Sequence, residues 1–392
     1  MVDLTFLHNH RVVIFGTGIL AAKCVYSLLN RQIQVEYFLN NNCKIQTFCN
    51  RPVFSPDENN IKDVFIIVAA SENALLSIGK QLRDNGLKEF SDFIYYPLID
   101  KKMVLLHGNC HMSVIKEYLE SNETFSKEYC IYYNPLICHN TEHRIREEVL
   151  RNCDVLVHED IQEDNYCGYY LSDKYIRQQL KNDVKDITMP HLFGLGKMLF
   201  PQVEYSKDNP PISNGENGNG LFPHADIIID KCIKRGMSIE DIVLFVKSDE
   251  AIGKEYIHKN FTEYMKKIKE REKCWDIKIY DFIMEHYKNE KLFFDIGHPT
   301  NIIMGEIAKH ILEKLDIFDF DIAAKSQMDA FETPVYPIVK KTLGLLWEDN
   351  KLRKSGYGRM TDVMDLEEYV REYIWWCYGG DVNGINIHSL CE

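Results

Sequence analysis

The chain is 392 residues long, 45% hydrophobic and 27% charged, the balance of a soluble globular protein and more chain than one ordinary core accommodates. Its formal net charge of -13 argues against a nucleic-acid or anionic-membrane partner, because both need a concentrated basic face. No apolar run reaches the roughly eighteen residues of a membrane span, and Met1 to Arg11 lacks the layout of a secretory signal, so a cytoplasmic protein without membrane insertion is expected.

Arg11 to Phe15 reads as a buried strand, and Gly16-Thr17-Gly18-Ile19-Leu20-Ala21 opens a helical stretch that runs to Asn30. Gln34 to Leu39 and Asp63 to Ala69 are further strands, followed by a helix closed by Gly86 and a short strand at Phe93 to Tyr96. The alternation implies a parallel sheet with helices packed on it. The glycine turn fits G-x-G-x-x-A, in which the backbone approaches a phosphate held at a helix N-terminus. A dinucleotide unit ends its second strand in an acidic residue that holds the ribose. Asn40 stands there instead, so a nicotinamide cofactor is not expected, and Gly16, Gly18 and Asn40 are candidate contacts for another nucleotide.

A second α/β unit begins after Pro97. Met103 to Leu106 is its first strand and leads straight into His107-Gly108-Asn109-Cys110-His111, with a helix expected over Ser113 to Glu120. Further strands are expected at Tyr129 to Tyr133, Asp154 to Val157, Asp186 to Met189 and Lys291 to Asp295. The positions just past these strands carry His107 and Cys110, Asn134, His158 with Glu159, His191 and His298. Ligands of open parallel sheets bind outside the carboxyl ends of the strands. His107, Gly108, His111, Asn134, His158, Glu159 and His191 are therefore candidate substrate contacts.

Asp208 to Gly220 has the glycine, asparagine and proline content of a surface loop. The basic cluster Lys266 to Lys273 is interrupted by Glu270 and Glu272 and reads as a solvated helix face. An amphipathic helix over Asp365 to Tyr378 is expected to dock one face on the body or on a second subunit of a homo-oligomer. The twelve cysteines form no C-x-x-C pair, which predicts reduced thiols. His139 and His143 have helical spacing but lack an adjacent glutamate and a third ligand, so no metal site is expected.

Two segments carry chemistry. A cysteine on a glycine turn that enters a helix N-terminus has its thiolate favoured by the helix dipole, which makes Cys110 a candidate nucleophile. Asp295-Ile296-Gly297-His298 offers a base with its own orienting carboxylate. The bland readings are a packed thiol at Cys110, a helix cap at Asp295 and a turn-shaping Asn109.

Residues 10 to 97 resemble the N-terminal nucleotide-sugar-binding domain of bacterial sugar acyltransferases, with Phe38-Leu39-Asn40-Asn41, Arg51-Pro52-Val53 and Phe65 to Ala69 in the expected order. Gly108-Asn109-Cys110 and Asp295 to His298 match the layout of the SGNH/GDSL hydrolase superfamily, with cysteine in place of its serine. A closer resemblance is to the WcbI-type family of capsular-polysaccharide biosynthesis proteins, regarded as acetyltransferases that bind coenzyme A. It rests on Gly108-Asn109-Cys110 and His298-Pro299-Thr300-Asn301, with Pro190 to Pro201, Pro223-His224-Ala225-Asp226 and Glu332 to Pro337 in support. That family usually has glutamine after the cysteine, where this chain has His111.

The resemblances imply an α/β protein of two parallel-sheet domains. These are a small Rossmann-like nucleotide-sugar-binding domain over residues 1–99, an SGNH- or flavodoxin-like domain over 100–340, and a helical extension over 341–392. They imply acyl transfer from acetyl-CoA to a sugar hydroxyl of a capsular or surface polysaccharide. Cys110 would attack the thioester and His298, oriented by Asp295, would move the proton. The Cys110 N–H, with Asn109 or Asn134, would hold the oxyanion. Lys101, Lys102, Arg144 and Lys197 are cations open to the phosphates of coenzyme A. Direct attack by a sugar hydroxyl activated by His298 uses the same residues without an acyl-cysteine. The competing functions are a cysteine-dependent esterase or deacetylase and a non-catalytic sugar-nucleotide-binding partner acting through Gly16 and Gly18.

Overall fold

A computed structural model describes residues 5–42, 44–135, 144–163, 168–204, 222, 224–326, 328–329, 331–348, 352–353 and 363–378. The loop expected over Asp208 to Gly220 and the His139/His143 pair lie outside the described residues. The chain forms an α/β protein of two compact units, one drawn from residues 1–112 and 122–187, the other from 113–121 and 188–392.

The first unit holds a six-stranded sheet built from β1 (Val12–Phe15), β2 (Val35–Leu39), β3 (Thr47–Phe48), β4 (Arg51–Phe54), β5 (Phe65–Val68) and β6 (Phe93–Tyr95). Its order is β3-β4-β2-β1-β5-β6, parallel throughout except for the β3-β4 hairpin. Side chains alternate across a strand. Val12 and Ile14 accordingly enter one core with Ala21, Cys24 and Leu28, while Val13 and Phe15 enter another with Ile66, Ile78 and Leu82. Burial on both faces is why β1 and β5 are unbroken apolar runs. Gly16 follows β1 at φ +133°, where a Cβ would come within 2.2 Å of the Ala69 carbonyl oxygen, so only glycine turns the chain into the helix Ile19–Asn30.

A second sheet comprises β7 (Lys102–Gly108), β8 (Tyr129–Pro135), β9 (Val155–Glu159) and β10 (Lys185–Met189), in the order β10-β9-β7-β8. Met103, Leu105 and Leu156 enter the same core as Val12 and Ile14, so the two sheets share apolar packing. In register, His107 on β7 pairs with Asn134 on β8 and His158 on β9. Three candidate positions thus sit side by side at the carboxyl edge of the sheet.

The second unit is mainly helical. Asp226 caps the helix Ile227–Lys234 by accepting from the N–H groups of Ile228 and Ile229, and Ser238 caps Ile239–Lys247 through the N–H of Asp241. Longer helices run over Lys254–Arg271 and Asn301–Lys314. The amphipathic tail is helical over Leu366–Tyr378, with Tyr369, Val370, Tyr373, Ile374 and Cys377 buried at helical spacing. Among the described residues no helix is long and apolar enough to cross a membrane.

One expected strand is absent. Among the described residues Lys291 to Asp295 joins no sheet, and its one bridge is Phe293 with Pro299. The segment folds back on its own continuation: Phe294 N–H donates to the His298 carbonyl at 2.8 Å and Thr300 N–H to the Leu292 carbonyl at 2.9 Å. Its apolar residues are buried, but its backbone groups pair with the turn that follows them and with Thr333, whose N–H donates to the Phe294 carbonyl.

Candidate active site

In the first unit β7 ends at Gly108, the chain turns through Asn109 and Cys110, and the helix His111–Ser121 begins at once. The Cys110 thiol is exposed. A Cβ on Gly108 would lie 3.0 Å from Glu159 Cγ and from Met112, so glycine is needed for the close approach of β9 to the turn. Asn109 Oδ1 accepts from the His111 N–H at 2.8 Å and tightens the loop around the cysteine. Its Nδ2 is buried without a hydrogen-bond partner among the described residues.

Glu159, the last residue of β9, braces both ends of this turn. Oε2 accepts from the Asn109 N–H at 3.3 Å and Oε1 takes the His111 Nδ1 at 3.1 Å, with both side chains fully buried. A carboxylate without solvent is tolerated only when its oxygens are paired. The turn therefore rests on a charged group whose contacts fix its shape. Across from it, burial first, then the nearby Cys110 and Glu159 charges, push the Tyr133 phenol up to about 12.

His107 is buried, and its Nε2–H donates to the Leu171 carbonyl at 2.9 Å. Burial lowers its pKa to about 4, so the ring is neutral near pH 7. His158 is the opposite case. Its Nδ1 faces the Glu159 carbonyl and Asp173 Oδ1 at 2.9 and 3.0 Å, and Nε2 faces Asp186 Oδ1 at 2.8 Å. Acceptors on both sides require both nitrogens protonated. Burial opposes that charge, but the two carboxylates outweigh it and raise the pKa to about 9. Asn134 ends β8 beside His107 in register, and its side chain lies outside the described residues.

In the second unit Asp295 is fully buried and organises its own turn. Oδ1 accepts from the N–H groups of Gly297 at 2.6 Å and His298 at 2.8 Å, and Oδ2 takes the His298 Nδ1 at 2.7 Å. His224 Nε2 lies 3.7 Å from the same Oδ2, an ion-pair distance. Burial pushes the Asp295 carboxyl up, but the two imidazoles reverse this and hold it well below the usual carboxylate range. A carboxylate at Nδ1 leaves Nε2 as the basic nitrogen of a neutral ring. The His298 side chain is 34% exposed, which is the geometry of a base whose working nitrogen is set from behind. His191 is half-buried, its ring 6.4 Å from that of Phe193.

The structure thus gathers Gly108, Asn109, Cys110, His111 and Glu159 into one cluster with His107 and His158 beside it, and Asp295 with His298 into another. Sequence reasoning missed His224 as a neighbour of Asp295 and Glu159 as a brace. The signal for His224 is its place two residues before the helix cap Asp226. In the six-stranded sheet, Asn40 Nδ2 donates to Thr17 Oγ1 at 2.6 Å and Oδ1 accepts from Asn42 N–H, while Gly18 heads the helix without a side-chain cap. The cations expected near phosphates have protein neighbours: Lys101 Nζ donates to the Ser126 carbonyl, Lys102 lies 5.5 Å from the Tyr129 ring, Arg144 lies 4.1 Å over Tyr170, and Lys197 is 3.8 Å from Glu204. No group of three metal-ligating side chains occurs among the described residues.

A family model described as "Polysaccharide biosynthesis enzyme WcbI" matches residues 103–319. A solved structure of WcbI, described as a novel polysaccharide biosynthesis enzyme in native form without a disulfide bond between coenzyme A and one of its cysteines, superposes with a TM-score of 0.58. The alignment covers 71% of this chain and 90% of that one at 19% identity, a likeness of fold. No curated protein matches the chain. The family match spans more than half of the chain and takes in the Cys110 turn, Glu159 and the Asp295–His298 pair, and the chain belongs to the WcbI family of polysaccharide biosynthesis enzymes.

Proposed function

We propose that the protein transfers an acyl group from a coenzyme A thioester to a sugar hydroxyl. The observation that carries the reading is an exposed thiol at the start of a helix, in a turn whose buried side chains leave the Asn109 Nδ2 donor unmatched. The Cys110 thiolate attacks the thioester carbonyl, the bond to the coenzyme A sulfur breaks, and that sulfur leaves as a thiolate that solvent protonates. Asn109 Nδ2 and the Cys110 N–H stabilise the oxyanion; one such donor is worth about 3 kcal/mol. A sugar hydroxyl then loses its proton to His298 Nε2, attacks the acyl-cysteine and regenerates the thiolate. Asp295 keeps the imidazole in the tautomer that accepts that proton.

The same reading takes residues 1–99 as a nucleotide-sugar-binding domain acting through Gly16, Gly18 and Asn40. Residues 100–340 form the transfer domain and 341–392 its helical extension. The test is release of coenzyme A from acetyl-CoA, followed chromatographically with and without a saccharide acceptor. Acceptor-dependent release that falls at least about 100-fold in both Cys110→Ala and His298→Ala supports the assignment. Release that proceeds equally well in Cys110→Ala contradicts it, and acceptor-independent hydrolysis of acyl esters would make the protein an esterase.

A further inference from the structure

In the second unit the Asp295 carboxylate is set against two imidazoles. His298 Nδ1 meets its Oδ2 at 2.7 Å, and His224 Nε2 lies 3.7 Å from the same oxygen. Asp295 and His224 are both buried, so the second contact is one of charge and dipole that water screens little. His224 is brought there by its chain. The next two residues, Ala225 and Asp226, pair antiparallel with Glu204 and Val203. Asp226 is fixed in turn: its N–H donates to the Tyr373 hydroxyl at 3.0 Å, its Oδ2 accepts from the Tyr336 hydroxyl at 2.8 Å, and its Oδ1 caps the following helix. Backbone pairing and capping thus set the imidazole against Asp295.

The number of imidazoles per carboxylate decides what Asp295 can do for His298. At His158 two carboxylates flank one ring and make it a standing cation, with a pKa of about 9. At Asp295 the ratio is inverted. A nitrogen that faces a carboxylate carries its proton, so His224 turns a positive edge toward the oxygen that orients His298. That edge offsets part of the field that would otherwise hold a proton on His298, and it does so whether the His224 ring is neutral or charged. Other titratable groups on the elements packed against this turn are engaged elsewhere. Lys291 pairs with Glu332 at 2.7 Å, and Lys197, next to the Gly196 N–H that donates to the Ile296 carbonyl, lies 3.8 Å from Glu204. His191 stands beside Phe193, the ring that packs on Gly297.

We infer that His224 is a positioning residue that shares the Asp295 carboxylate and thereby keeps the His298 imidazole unprotonated at neutral pH, ready to accept the proton of the attacking hydroxyl. This role rests on the acyl-transfer reading, in which His298 is the base, and adds what sets the strength of that base. A general base works best when its pKa lies near the working pH. A buried aspartate given to His298 alone would orient the ring but also over-stabilise its cation, and His224 separates the two effects.

NMR titration of the histidine rings in the full-length chain tests this without turnover, with the His298 signal assigned by its loss in His298→Gln. In His224→Phe the His298 midpoint should rise by about one pH unit. His224→Gln, whose amide N–H still turns a positive end to the carboxylate, should fall between that variant and wild type. The coupling is reciprocal, so His298→Gln should raise the His224 midpoint by a similar amount; this second measurement leaves His224 in place and serves even if His224→Phe folds poorly. In turnover, kcat/KM for the saccharide acceptor should fall about five- to tenfold near pH 6 in His224→Phe and change little near pH 9. A His298 midpoint that stays or falls in His224→Phe would overturn the inference. So would an equal loss of activity at both pH values, which would make His224 a packing residue only. If the midpoints are coupled but acetyl-CoA supports no acyl transfer, the pairing of the two imidazoles stands and the acyl-transfer reading fails. If transfer proceeds through Cys110 while the His298 midpoint ignores His224, the reverse holds.

Discussion

Asp295 and His298 lie three residues apart, and that spacing alone lets one carboxylate hold two backbone N–H groups and the imidazole. Asp295→Asn preserves shape but removes the charge that orients the ring, so kcat should fall about 10²- to 10⁴-fold. The check is steady-state turnover beside a thermal melt, which separates lost catalysis from lost folding. Glu159→Gln keeps one acceptor and places a donor where the other oxygen met an N–H. Acylation of Cys110 should slow at least about tenfold in stopped-flow measurements, with a stability loss of about 1–3 kcal/mol. The Asp295–His298 contact was legible in the sequence because both groups lie in one turn. The Glu159–His111 contact was not, since residues 48 apart meet only when β9 lies beside β7 in a register that pairs His158 with His107.

At the scale of elements, β1 and β5 were legible because strands buried on both faces are unbroken apolar runs. Leu292 to Phe294 is a similar apolar run inside Lys291 to Asp295, yet the segment joins no sheet among the described residues. Apolar content reports burial, whereas backbone pairing here is decided by the Asp295 turn and by Thr333 N–H, which donates to the Phe294 carbonyl at 2.8 Å. The basic cluster of the helix Lys254–Arg271 is solvated as its interrupted charge pattern suggests: Lys266, Lys267, Lys269 and Glu270 are exposed, and Glu270 lies 3.9 Å from Lys266. The tail helix Leu366–Tyr378 was legible by periodicity, but its anchor was not. Tyr373 OH donates to Asp230 Oδ1 at 2.9 Å and accepts from the Asp226 N–H at 3.0 Å, and Tyr378 OH donates to the same Asp230 oxygen at 2.7 Å. Tyr373→Phe leaves a buried N–H and a carboxylate oxygen short of a partner. It should cost about 1–3 kcal/mol, read as a lower urea midpoint.

For the whole molecule, buried titratable groups set the dependence of stability on pH. His158 has a folded pKa of about 9, above the ordinary value near 6.5. Its contribution is complete below about pH 6.5 and is lost as pH rises through 9, because over that window the folded state holds a proton that the unfolded chain has released. Asp226, raised to about 7 by burial, acts in the same direction between about pH 4 and 7. Urea midpoints should therefore decline from about pH 6.5 to 9, and His158→Gln should flatten that limb while lowering stability at pH 6. A midpoint that climbs through this range would contradict a charged His158.

The central claim, that Cys110 carries the acyl group, is tested most directly by intact-mass spectrometry after incubation with acetyl-CoA alone. The account predicts an acetyl-sized increment on the wild-type chain that is absent from Cys110→Ala and accumulates in His298→Ala once a saccharide acceptor is added. An unmodified wild-type chain that nonetheless transfers the acetyl group to the acceptor would contradict it.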